Sequence, residues 1–266
     1  MSREYTYGPF QSRRLGLSLG VDVLPRKKLC TFNCVYCEIG FTEKSCHVSP
    51  QYRLKAPPSN NFRSELKAIL KLIPNLNSIT FGYNGEPTLN ENLMDFLNFA
   101  LDVRNEITWP LEKPKITIFT NSSTLHYQEI REKVKKFDFI LAKLDAATDI
   151  DFKRTNCPHE KVPSINRIVD SLEKLKSEMP TENKLALQCL IYNSYRNDFL
   201  SNSNLENITQ LANAIKKIKP DCVQVYSIAR IPANWFVFSI DEGQKKNIVQ
   251  QFKNSIKNDK IDIHYF

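Results

Sequence analysis

Apolar residues along this chain alternate between two periods. A helical spacing of three and four runs through Leu66, Ile69, Leu70 and Ile73, and again through Leu93, Phe96, Leu97, Ala100 and Leu101. It returns at Ile165, Ile168, Val169, Leu172 and Leu175, at Leu205, Ile208, Leu211, Ala212 and Ile215, and at Ile248, Val249 and Phe252. A weaker helix is predicted over 125–135. Between these lie short β-rich runs: LSLGVDV (17–23), SITFGY (78–83), KITIFT (115–120), FDFILAKL (137–144), LALQCLIY (185–192) and CVQVYSI (222–228), with IDIHYF closing the chain. Strands alternating with helices predict βαβ units, and so parallel strands with right-handed crossovers. Six or seven such units predict an α/β fold built as a partial or full (β/α) barrel. We expect one domain over 1–266, with a core of about 14–230 and a helix-strand extension over 241–266.

In a barrel of this kind the chemistry sits in the loops after the C-terminal ends of the strands. The unusual residues fall there. Cys30, Cys34 and Cys37 follow the first predicted strand in a C-x3-C-x2-C spacing, with Tyr36 just before the last cysteine. GYNGEPTL (82–89) follows the second, Thr120-Asn121 ends the third, and Lys143 to Asp145 ends the fourth. Of the chain's seven glycines, six precede Glu86, which marks the first two loops as tightly folded around something. Soft thiolates so spaced select zinc or an iron–sulfur cluster. With Cys46 or His47 as a fourth ligand they would close a structural zinc site. As three ligands of a [4Fe–4S] cluster they leave one iron open. In the second loop Gly85 permits close backbone approach and Glu86 offers a carboxylate, although Glu, Pro and Thr also suit a helix start.

CTFNCVYC, with its aromatic before the third cysteine, and NGEPTL some fifty residues later together resemble the radical S-adenosylmethionine (radical SAM) superfamily. The resemblance extends over roughly residues 14–230. GPFQSRRLGLSLGVDVLP is similar to the start of small radical SAM proteins near the wyosine-type tRNA-modifying enzymes, with Phe10-Gln11 where relatives tend to have Val-Pro. The resemblance implies that Cys30, Cys34 and Cys37 bind the cluster and that the open iron takes the amino and carboxylate groups of SAM. It implies that Tyr36 contacts adenine, that Glu86 with its neighbours Asn84 and Gly85 receives the methionine ammonium, and that Asn121 reaches the ribose or carboxylate of SAM. Lys143 or Asp145 would do similar work from the fourth strand, although a surface pair there is equally ordinary, and Gln188 is a candidate lining residue, with a satisfied core glutamine as the alternative. The implied activity is reductive cleavage of SAM to a 5′-deoxyadenosyl radical that abstracts hydrogen from a substrate. A low-potential electron donor such as a flavodoxin or ferredoxin is the implied partner.

Composition alters this picture only in part. The net charge of +8 favours an anionic partner, possible substrates being tRNA or another anionic molecule, although a lysine-rich solvated surface gives the same total. A non-catalytic, zinc-stabilised RNA-binding protein is the competing expectation. Seven cysteines in a chain of this length argue against a disulfide framework, and Cys189 and Cys222 read as small core residues. Arg13 and Arg14, beside the expected active face, could receive phosphate or carboxylate, although plain surface arginines need no role; Cys157 could serve as a radical partner, although a loop thiol needs no role either. The polar start MSREYTYGPF and the absence of any apolar run near ~18 residues lead us to expect a cytoplasmic protein with reduced thiols.

Overall fold

The computed structural model describes residues 3–24, 27–257 and 260–266. Pro25, which ends the GPFQSRRLGLSLGVDVLP segment, lies outside the described residues. Two strands open the fold, β1 (Thr6–Ser12) and β2 (Gly16–Val21), paired antiparallel. Helix α1 (Asn60–Leu70) leads to β3 (Ser78–Phe81), α2 (Leu93–Glu106) to β4 (Lys115–Thr120), and α3 (Gln128–Val134) to β5 (Phe139–Lys143). Then come α4 (Asp149–Asn156), α5 (Ile165–Glu178), β6 (Lys184–Leu190) and β7 (Tyr192–Ser194). The chain continues through α6 (Leu205–Ile218), β8 (Cys222–Tyr226), β9 (Val237–Ser239) and α7 (Glu242–Ile256) to β10 (Asp262–Tyr265).

Eight strands form one sheet in the order β1-β2-β3-β4-β5-β6-β8-β10, parallel from β2 onward. Its two ends are β1 and β10, so among the described residues the barrel is partial. All seven predicted strands are present. The C-terminal strand belongs to this sheet, β10 pairing with β8, and α7 joins the core through Ile248, Val249 and Phe252. No helix among the described residues is long and apolar enough to cross a membrane.

The two faces of the sheet differ sharply, and the period of two explains it. Ile79, Ile116, Ile140, Leu185, Val223 and Ile263 share one face and are buried under the helices. The other face, at positions one residue along, carries Ser18, Thr80, Thr117, Lys143, Gln188 and Gln224. Helical stripes meet the apolar face from Leu66 and Leu70 on α1, Phe96 and Leu97 on α2, and Leu172 and Leu175 on α5. Side-chain caps start these helices: Ser59 for α1, Ser164 for α5, Asn204 for α6, and a reciprocal Asp241–Gln244 pair for α7.

Candidate active site

The cysteine loop lies between β2 and α1, and three backbone bridges fix it. Leu29 pairs with Gly85 of the next loop, Cys30 with His47, and Phe32 with Pro158. Gly85 has φ +129°, and a Cβ there would collide with the Leu29 backbone. Only glycine lets these two loops touch. Asn84 is held beside them by Asp22, whose carboxylate accepts from Asn84 Nδ2 at 2.5 Å; burial pushes Asp22 up to about 6.

Side-chain amides from two other loops reach the thiols. Asn121, following β4, donates through Nδ2 to Cys30 Sγ at 3.4 Å and to Thr31 Oγ1 at 2.9 Å. Its Oδ1 accepts from Ser123 N at 3.0 Å, so it is also the turn residue that its sequence context allows. Asn156, at the end of α4, donates to Cys34 Sγ at 3.4 Å and to Asp145 Oδ2 at 3.1 Å. Phe32 N adds a third contact, to Cys30 Sγ at 3.4 Å. All three thiols are free. Burial pushes Cys30 up to about 12 and Cys34 higher still, with Cys37 adding like charge beside both.

Glu86 is fully buried and caps the 3₁₀ turn Pro87–Leu89. Its Oε1 accepts from Thr88 N, Thr88 Oγ1 and Thr120 Oγ1 (3.2, 2.6 and 3.0 Å), and its Oε2 from Asn121 N at 2.6 Å. Three of these four donors crowd Oε1, whereas Oε2 takes one. The helix-start reading of this motif therefore describes its local structure, and the carboxylate is directed inward. Burial raises the Glu86 pKa, opposed by those hydrogen bonds.

Lys143 and Asp145 are no surface pair. Asp145 is 2% exposed and lies 3.2 Å from Lys143 Nζ. It accepts from the Tyr36 hydroxyl and from Leu190 N (2.8 Å). Tyr36 is thereby anchored next to Cys34, and burial followed by the Asp145 charge raises its pKa well above the ordinary tyrosine range. Lys143 Nζ donates to Tyr226 Oη at 2.7 Å. Burial disfavours its charge, but Asp145 and Tyr226 outweigh that and raise its pKa. Gln188 is buried and donates to Gln224 at 2.9 Å.

Cys30, Cys34, Tyr36, Asn121 and Asp145 thus form one connected cluster, with Asn84, Gly85 and Glu86 packed behind it. Asn156 and Tyr226 were not found from sequence. Asn156 ends a short charged helix without an apolar stripe, whereas Tyr226 ends a strand, which was a usable signal. A single-ion zinc site finds no support in the geometry. His47 Nε2 lies 3.1 Å from the Thr31 carbonyl, and among the described residues no three His, Cys, Asp or Glu side chains converge to hold one metal ion. Cys157 caps α4 in the left-handed region at φ 42°, and Cys189 is a core residue as expected.

No family model matches the chain. It is 28% identical over 234 residues to a UPF0026 protein of Helicobacter pylori, across 84% of this chain and 66% of that one. It is 29% identical over 247 residues to a protein of Brachyspira hyodysenteriae named GTPase Obg, across 93% of this chain and 33% of that one. The chain therefore spans a third to two thirds of the length of these relatives. No glycine here is followed by lysine, so a G-x4-G-K phosphate loop is not part of what is shared. Among solved structures, SuiB of Streptococcus suis bound to S-adenosylmethionine superposes with a TM-score of 0.59 at 12% identity, over 90% of this chain and 48% of that one. The superposition on SuiB, with the eight-stranded and mostly parallel α/β sheet of this chain, bears out the fold implied by the resemblance of CTFNCVYC and NGEPTL: this chain has the radical SAM fold.

Proposed function

We propose that this protein is a radical SAM enzyme in which Cys30, Cys34 and Cys37 hold a [4Fe–4S] cluster and the loops after β3, β4 and β5 hold SAM. The observation that carries the reading is the set of N–H groups aimed at the thiols. Asn121 and Phe32 serve Cys30, and Asn156 serves Cys34, from three separate parts of the chain. Hydrogen bonds to sulfur stabilise thiolates and tune the potential of a cluster. Separate irons each take one thiolate, so three cysteines at this spacing suit a cluster. When bound, such a cluster supplies one electron for cleavage of the SAM sulfonium to methionine and a 5′-deoxyadenosyl radical.

The chain's own residues bind and orient. Tyr36, fixed by Asp145 and Asn156, presents its ring to adenine. Gly85 brings the backbone of the second loop against the cysteine loop, and Asn84 and Glu86 shape it for the methionine ammonium. Asn121, fixed by Glu86, faces the ribose or carboxylate of SAM. Burial favours the protonated form of the Cys30 and Cys34 thiols, so ligation would release protons. In this reading the substrate would be tRNA or another anionic molecule, the electron donor a flavodoxin or ferredoxin, and the compartment the cytoplasm.

Anaerobic reconstitution tests this. The reconstituted protein should be brown, contain iron and sulfide, and release 5′-deoxyadenosine from SAM under a strong reductant. Cys34→Ala should lose colour, iron and cleavage together. No deoxyadenosine above a cluster-free control would refute the assignment.

A further inference from the structure

The residues assigned to the cluster and to SAM lie in the loops, and the polar face of the sheet has no task among them. Most of its groups satisfy one another. Ser18 Oγ lies 2.7 Å from Thr80 Oγ1, and Ser78 Oγ lies 2.8 Å from both Thr80 Oγ1 and Thr117 Oγ1. Gln188 and Gln224 are paired in the same way.

Arg14 breaks the pattern. It sits in the turn between β1 and β2, with its backbone N–H donating to Ser12 Oγ at 3.2 Å. Its guanidinium lies 4.3 Å from the centroid of the Tyr226 ring, yet among the described residues it donates no hydrogen bond and pairs with no carboxylate. Its Nη1 is buried without a partner. A guanidinium is always charged, and a buried charged donor without an acceptor is costly. The same Tyr226 ring meets a second cation, since Lys143 Nζ lies 5.1 Å from its centroid and donates to its hydroxyl. Two cations therefore meet at one ring; Asp145 pairs with Lys143, and among the described residues no carboxylate pairs with Arg14.

We propose that Arg14 and Lys143, meeting at Tyr226, bind an oxyanion of the substrate, a carboxylate or a phosphate, on the polar face of the sheet. Arg14 presents a planar fork of donors suited to either group, and Lys143 adds a point charge. An incoming oxygen would give Nη1 the acceptor it lacks. The site differs from that proposed for SAM. Arg14 arrives from the turn before β2, whereas the cysteines follow β2. Lys143 connects the two regions, because its Nζ also lies 4.8 Å from the Tyr36 ring centroid. An anion held at Tyr226 would keep the remainder of a small substrate beside the residues assigned to SAM. Calling the anion part of a substrate rests on the radical SAM reading, whereas its binding does not.

Calorimetric titration of the cluster-loaded protein with inorganic phosphate, with succinate and with SAM tests the proposal. The parent should bind at least one of the two anions, and their relative affinities distinguish phosphate from carboxylate. Arg14→Gln should weaken that anion at least tenfold while SAM affinity stays within twofold. Arg14→Lys, which keeps the charge and loses the fork, should give a smaller loss, and it carries the test if circular dichroism shows the glutamine variant unfolded. Parent-like anion binding by the folded variant, or no binding of either anion to the parent, would overturn the site. A parallel loss of anion and SAM affinity would overturn it too, by assigning Arg14 to SAM. A parent that binds the anion but not SAM would uphold this site and refute the cofactor reading.

Discussion

Glu86 ties two loops together with one carboxylate, and its effect on the site passes through Asn121. Oε2 takes the Asn121 backbone N–H, and the Asn121 side chain then reaches Cys30. Glu86→Gln replaces one acceptor oxygen with a donor in a pocket where Thr88, Thr120 and Asn121 already supply donors. Leaving a buried donor unsatisfied costs about 1–3 kcal/mol, so thermal stability should fall. Asn121 should also loosen, weakening SAM roughly tenfold, or about 1.4 kcal/mol, while all three thiolates still load iron. Iron and sulfide assays with a SAM titration check this. Parent-like SAM affinity beside a lowered melting temperature would leave Glu86 as a structural cap alone. The cysteines and the second loop were legible in sequence because motif spacing survives any arrangement of the chain. The inward direction of Glu86 was not, since its partners lie two and about thirty-five residues away and only the β3–β4 pairing brings the latter near.

At the scale of elements, the seven predicted strands were legible because one face of each is a row of aliphatic residues packed under helices. The missed elements lack that signature. β1 contains Gly8-Pro9, β7 and β9 are three residues each, and α4 buries Phe152 while Ile150 is 73% exposed. β1 is nonetheless firmly held. Glu65 on α1 accepts from Glu4 N and Thr6 N at 2.9 and 2.8 Å, and the Tyr7 hydroxyl donates to the Gly82 carbonyl. The Tyr7 ring lies flush over Gly20 of β2, where a Cβ would enter the ring. Gly20→Ala should therefore overpack the β1–β2 pair, costing about 1–3 kcal/mol. In a Tyr7→Ala background the same substitution should cost less, with a coupling of about 0.5–3 kcal/mol between the two sites. Urea denaturation of the four proteins in the cycle measures it. An equal cost in both backgrounds would mean that the ring is not what excludes a side chain at Gly20.

For the whole molecule the open quantity is charge. The chain carries 37 Lys and Arg against 29 Asp and Glu. Many lysines are already paired, as Lys67 is with Glu106 and Lys217 with Asp170, and exposed pairs of this kind add little to stability. The excess of +8 survives this pairing and sets the field that an anionic partner meets. A nucleic acid and a small anion would use that field differently. A tRNA touching about six phosphates releases counterions at each, so its affinity should fall about 10³-fold between 50 and 200 mM salt. One carboxylate or phosphate held between Arg14 and Lys143 releases far less, and its affinity should change only severalfold over the same range. Fluorescence anisotropy with labelled tRNA across a salt series separates the two. A steep loss supports tRNA as the partner. A flat response, or no binding at 50 mM, removes it and leaves a small anionic molecule as the substrate, because the cation that then still lacks an acceptor is Arg14, whose Nη1 is buried without a partner.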